Sequence, residues 1–118
     1  FEQTRIFPIM HVLGVRRSLA EEYPFLPAAL LKAFTQSKLL AEEALSDTSA
    51  KKVTMPFVED NLNRVHALMG DDPWSYGVGG NAHVLNKFLD YHASQGLSPR
   101  RVEIEELFHP STLEAYSL

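Results

Sequence analysis

Apolar residues follow one another from Ile6 to Val15, with His11 as the one ionisable side chain among Phe7, Pro8, Ile9, Met10, Val12 and Leu13. A run without polar alternation, mixing β-branched and aromatic residues, is what a strand buried on both faces requires, and it predicts a strand over residues 6–16. The spacing then changes to a helical period. Leu26, Leu30, Ala33, Phe34, Ala41, Ala44 and Leu45 share one face of a helix over 26–45, with Lys32, Gln36, Glu42 and Glu43 largely opposite. Val58, Leu62, Val65 and Met69 predict a helix over 57–69 that Gly70 ends. Val84, Leu85, Phe88, Leu89 and Tyr91 predict one over 81–95, capped by Asn81 and closed by Gly96. Short helices over 103–108 and 111–116, separated by His109-Pro110, complete the chain.

The breaks between these elements carry turn chemistry. Ser18, with Glu21 three residues on, has the spacing of a capping box for a turn over 18–22. Pro24 ends that turn, and Pro27 suits the opening of the next helix. Ser46 to Ser49 is a polar stop, and 51–56 is a connection. Asp71 to Gly80 is an aromatic loop rich in turn formers. Only Val53-Thr54-Met55 and Val102-Glu103-Ile104 resemble further extended pieces. The fold class expected is therefore mostly α with one or few β-strands. The long strand is central in character, so its neighbours are expected on another chain or on a part of the protein outside this sequence.

At 118 residues the chain is of single-domain size. Its 45% hydrophobic and 22% charged residues are ordinary for a globular protein and argue against disorder. The net charge of −4, with basic residues paired only at Arg16-Arg17, Lys51-Lys52 and Arg100-Arg101, argues against a nucleic-acid partner. Cysteine is absent, which excludes disulfides and thiolate metal sites. No apolar run approaches the ~18 residues of a spanning helix, so no membrane partner is expected. The chain opens at Phe1 without Met and runs at once into the apolar stretch, and it is expected to continue something longer.

Candidate chemistry is sparse. His11, His66, His83, His92 and His109 have none of the helical spacings of a metal pair, and no metal or other cofactor is expected. His11 stands apart because it interrupts an apolar run. It is either a core histidine bonded to backbone or a cleft histidine that moves protons near neutral pH. Gly77, Gly79 and Gly80 precede a helix but follow no strand and lack a Lys-Ser or Lys-Thr, so they read as a turn and not a phosphate cradle. Trp74 and Tyr76 either fill a core edge or form an aromatic wall for a ligand. Glu103, Glu105 and Glu106 read as a solvated acidic face. No Gly-x-Ser-x-Gly elbow is present.

Taken in order, Ile6-Phe7-Pro8-Ile9-Met10-His11, Leu30-Leu31-Lys32-Ala33-Phe34, Trp74-Ser75-Tyr76-Gly77 and Glu105-Glu106-Leu107-Phe108-His109-Pro110 resemble the C-terminal portion of the 4,5-dihydroxyphthalate decarboxylase family. Arg5 stands where that family commonly has Gly before Ile-Phe-Pro. The resemblance implies the C-terminal part of a periplasmic-binding-protein-like (type II) α/β fold, with an N-terminal lobe lying outside this chain. It also implies decarboxylation of 4,5-dihydroxyphthalate to protocatechuate in aromatic catabolism, the isolated chain being inactive. A cytoplasmic location is expected, with the periplasm as alternative.

Such a reaction needs an acid for the ring carbon, an acceptor for the phenol and a cationic clamp for the spectator carboxylate. The expected roles are His11 for the proton or phenol, Arg17 or Arg16 for a carboxylate, and Trp74 and Tyr76 for the ring of a small aromatic carboxylate. In a strand, Arg17 would share the face of His11 and Arg16 would lie opposite. Two rival functions follow from the same reading. One is a solute-binding lobe of an importer that recognises a small carboxylate without chemistry, since fold does not fix function. The other is self-association, a homodimer through the exposed strand.

Overall fold

The computed structural model describes residues 1–47, 49 and 53–114. Among the described residues there are five α-helices: α1 (Arg17–Glu22), α2 (Leu26–Ser46), α3 (Val58–Met69), α4 (Ala82–Ser94) and α5 (Ile104–Leu107). Two 3₁₀ turns, Gly79–Asn81 and Pro110–Thr112, precede α4 and follow α5.

The helices stand close to where their periodicity puts them, and their ends are chemically legible. Pro27 sits in the first turn of α2, where its missing N–H removes no helical bond. Glu59 and Asp60 lie in the first turn of α3 and His66 in its last, the favourable order for the helix dipole. At the end of α4 the Leu97 N–H reaches His92 O and the Gly96 N–H reaches Ala93 O. That pair of bonds is a Schellman motif, and Gly96 takes the left-handed φ of +71° that it requires.

Three local expectations are corrected. Ser18 does not cap α1: Arg16 is the N-cap and no side chain bonds there. Asn81 does not cap α4 through its side chain, which turns back to the preceding loop. A capping box does exist at α5, made by Glu103 and Glu106, with the Glu103 N–H donating to Glu106 Oε2 at 2.9 Å. The turn expected over 111–116 is the 3₁₀ turn Pro110–Thr112, and residues 115 and 116 lie outside the described residues.

The larger correction concerns the strand and the fold class. No strand or sheet exists among the described residues, so the chain is helical and the periplasmic-binding-protein-like α/β architecture is not supported. Residues 6–16 have no regular secondary structure and pair with no strand. A strand is held by bonds to a neighbouring strand, and neither Val53-Thr54-Met55 nor Val102-Glu103 supplies one. The apolar run is not sealed inside this chain either: Met10 is 60% exposed and Val12 75%. Arg17 opens α1, so strand alternation does not carry through to it.

The core is small. Leu85, Leu89 and Ile104 are buried, with Val78, Ala82, Val102, Phe108 and Leu113 packed around them. Phe88 and Tyr91, among the apolar residues that predict α4, are exposed. The α4–α5 junction is clasped by ion pairs. Arg101 donates to Asp90 Oδ1 at 2.8 Å, Glu103 Oε2 at 2.6 Å and Asn86 Oδ1 at 2.8 Å. Arg100 grips Glu106 with both terminal nitrogens, at 2.8 and 2.5 Å. Glu103 and Glu106 are thus half of a paired cluster and not a merely solvated face.

The radius of gyration is 17.1 Å, against about 13.5 Å for a compact domain of this length. The accessible surface of 9238 Å² compares with roughly 6,500 Å² for a compact chain of this size. No helix among the described residues is long and apolar enough to cross a membrane.

Candidate functional site

The aromatic loop between α3 and α4 is the place where chemistry-bearing residues from distant parts of the chain meet. Gly77 takes φ +85°, a left-handed turn residue that brings the loop back toward α4. Asn81 holds this turn by donating its side-chain amide to Ser75 O at 2.9 Å and Gly77 O at 2.8 Å. At Gly80 the backbone approaches Ser75 closely, and a Cβ there would make the Ser75 hydroxyl turn away.

Lys38, from the middle of α2, fixes the other side of the loop. Its ammonium donates to Asp72 Oδ1 at 2.5 Å and to Trp74 O at 3.2 Å. It also lies 5.2 Å from the centre of the Tyr76 ring, within cation–π range. Glu42, one turn along α2, is 3.9 Å away. The Lys38 side chain is only 10% exposed, and the carboxylates of Asp72 and Glu42 offset the cost of covering its charge. Phe7 meets Trp74 edge to face, with ring centres 5.3 Å apart.

The start of the apolar segment is anchored against the same region. His83 of α4 donates from Nε2 to Thr4 O at 2.9 Å. Arg5 reaches Leu68 O at 3.4 Å and covers the Phe1 ring at 5.4 Å. Arg5 has φ +56°, a left-handed conformation that glycine adopts without strain. This matches the glycine that commonly precedes Ile-Phe-Pro in the resembled family.

Of the expected site residues, the structure brings Trp74 and Tyr76 together on Lys38. Both rings are partly open to solvent, so neither is a buried core filler. His11 lies on the same apolar segment as Phe7, four residues further, hence within about 14 Å of it along the chain. It is exposed and is not a core histidine. Arg16 and Arg17 are exposed at the start of α1. The other histidines have local partners: His66 with Gly70 O, His92 with Ser98 and His109 with Ser111.

Sequence reasoning missed Lys38. The signal was available, because Lys38 falls on the apolar row Leu30, Phe34, Ala41, Leu45, where a lone cation needs a partner from elsewhere.

The shifted titrations belong to the ion-pair clasp and not to the aromatic loop. Glu106 is held well below its ordinary value of 4.5, at about 2, first by the Arg100 hydrogen bond and next by the Glu103 N–H. Arg100 and Arg101 are raised, chiefly by their hydrogen bonds to Glu106 and to Asp90. Among the described residues no group of three or more His, Asp or Glu side chains is placed to hold a metal ion. The arrangement offers two partly open aromatic rings, Tyr76 beneath the paired Lys38 cation and Trp74 edge to face with Phe7, its carbonyl held by the same cation, next to a segment bearing a histidine and leading to two exposed arginines. A planar aromatic ring with acidic substituents fits that chemistry.

No family model matches the chain. Over all 118 residues it is 54% identical to a curated 4,5-dihydroxyphthalate decarboxylase from Comamonas testosteroni. The chain spans 36% of the length of that relative, in its C-terminal part.

Proposed function

We propose, for a chain that belongs over its whole length with the C-terminal part of the 4,5-dihydroxyphthalate decarboxylase family, that the protein containing it removes one carboxylate from 4,5-dihydroxyphthalate. The observation that carries this reading is the 54% identity over a match that spans all 118 residues.

The chemistry sets what the residues must do. The departing carboxylate is para to a phenol, so the ring carbon that bears it can accept a proton while the hydroxyl stabilises the cation formed. The carbon–carboxylate bond then breaks, its electrons restore the aromatic ring, and carbon dioxide leaves. Net, one proton replaces one carboxylate and the product is protocatechuate. In this reading Trp74 and Tyr76 lie against the substrate ring. His11 moves a proton at the ring carbon or the phenol. Arg17, or Arg16, holds the carboxylate that stays, a task suited to the two parallel donors of a guanidinium.

This chain supplies one wall of such a site. Its surface exceeds that of a compact chain of its size by roughly 2,700 Å², the scale of a permanent interface. The occupant we assign to the exposed apolar segment around Met10, Val12 and Leu13 is the N-terminal remainder of the parent protein, to which 64% of the relative's length corresponds. A cytoplasmic location belongs to the same reading, as for an enzyme of aromatic catabolism, and fractionation of whole cells tests it.

The test of function is carbon dioxide release from 4,5-dihydroxyphthalate by the intact parent, compared with its His11→Ala variant. The expected result is turnover by the parent and a loss of roughly 10²-fold or more in the variant. An inactive parent removes the proposed reaction, and an active parent with unchanged His11→Ala turnover removes the role of His11.

A further inference from the structure

We propose that Lys38 is a positioning residue, one that sets the spacing and tilt of the Trp74 and Tyr76 rings against which an aromatic carboxylate lies. The proposal deepens the function proposed above and rests on Trp74 and Tyr76 being the wall for the substrate ring. Its starting point is geometric. A single ammonium addresses alternate positions of one loop: the carboxylate of Asp72 at 2.5 Å, the carbonyl of Trp74 at 3.2 Å and the ring of Tyr76 at 5.2 Å.

The donors of Lys38 are engaged by these partners, with Glu42 at 3.9 Å on the remaining side. The residue is therefore neither a free acid nor an open clamp for a carboxylate. Its effect must pass through the groups it holds. Those groups are otherwise weakly constrained. Pro73, Gly77, Gly79 and Gly80 let the loop turn but do not space its rings. Asn81 ties the carbonyls of Ser75 and Gly77, leaving the Trp74 carbonyl to Lys38. Phe7 meets the Trp74 ring from the apolar segment, so the position of Trp74 also bears on how that segment approaches.

Lys38 is absent from the core cluster of Leu85, Leu89 and Ile104. Removing its charge should therefore free the rings without unfolding the helices around them. The reach matters to function because two aromatic faces grip a flat substrate only when their separation and angle match it.

The experiment uses the intact parent protein with Lys38→Met, Lys38→Arg and Asp72→Asn. Asp72 is the exposed end of the pair, so its variant loosens the same tie without touching α2. Steady-state carbon dioxide release should show KM for 4,5-dihydroxyphthalate raised roughly tenfold in Lys38→Met, the equivalent of one aromatic contact. The change in kcat should stay within about threefold, the pattern of lost ground-state and transition-state binding alike. Asp72→Asn should move KM in the same direction, and Lys38→Arg should recover most of it.

Trp74 is the one tryptophan of this chain, and emission measured against a Trp74→Phe background isolates it in the parent. Acrylamide should quench Trp74 more strongly in Lys38→Met and Asp72→Asn than in the unaltered protein. Unchanged KM with unchanged quenching would overturn the proposal. So would a fall in kcat at constant KM, which would put Lys38 at the reacting atoms. If the unaltered parent released no carbon dioxide, the proposed reaction would fall on that result alone. Trp74 quenching would still decide for or against Lys38 as the residue that places the rings.

Discussion

Replacing Leu89 by Ala tests whether the small cluster around α4 and α5 is the true core of this chain. Leu89 is 3% exposed, the most covered of the three residues of that cluster. It packs with Leu85 and Ile104 inside a ring of Val78, Ala82, Val102, Phe108 and Leu113. Truncation to Ala removes about three methylene equivalents, at ~0.8 kcal/mol each, or ~2.4 kcal/mol of burial. A cavity adds to this, up to the ~5 kcal/mol seen when a site cannot close. Here the surrounding ring is only partly buried and free to settle inward, so the expected total lies near the lower end, ~3 kcal/mol. The assay is urea unfolding of the intact protein, where the midpoint should fall by about 1 M for a slope near ~3 kcal/mol per molar. Leu89→Met, which keeps the volume, should cost less than ~1.5 kcal/mol. A loss below ~1 kcal/mol for Leu89→Ala, or equal losses for the two variants, would refute the placement of the core.

Three further outcomes follow from other parts of the structure. Glu106 is held at about 2 against an ordinary 4.5, so its pairing with Arg100 stabilises the fold above pH ~4.5 and the contribution is lost as pH falls toward about 2. The Glu106→Gln variant should therefore unfold more easily than the unaltered protein at pH 7 and converge with it near pH ~2; a gap that does not narrow in acid would contradict the ion pair. Arg5→Gly relieves a left-handed backbone costing ~1–2 kcal/mol and adds ~0.4–1 kcal/mol of unfolded-state entropy, so a small net stabilisation should appear as a raised thermal midpoint. A lowered midpoint would show that the contacts of Arg5 outweigh its strain. Val12→Asp places a charge on a side chain 75% exposed in this chain, and should leave α1–α5 intact but lower the stability of the intact parent by several kcal/mol if the N-terminal remainder covers it. Unaltered parent stability would leave that surface facing solvent, and a shift in sedimentation to half the mass would assign it to a second copy instead.

What the sequence determined by itself was the helical content and its limits. Period and end chemistry are local, so the apolar rows of α2, α3 and α4 and the stops at Gly70 and Gly96 were readable without knowing what each helix packs against. The order of short motifs was likewise enough to recognise the family, because a family signature is a property of the linear chain. The tertiary structure decided the rest. Whether Ile6–Val15 forms a strand depends on a neighbour to bond with, and no segment of the described chain provides one, so an apolar run that looked like the centre of a sheet is an unpaired stretch without regular structure. Whether Lys38 matters depends on Asp72, Trp74 and Tyr76 arriving from 34 to 38 positions away, a juxtaposition invisible to any local window. The same holds for Asn81, whose side chain had a cap and a loop to choose between. The loop won because two carbonyls of the turn around Gly77 lay within its reach.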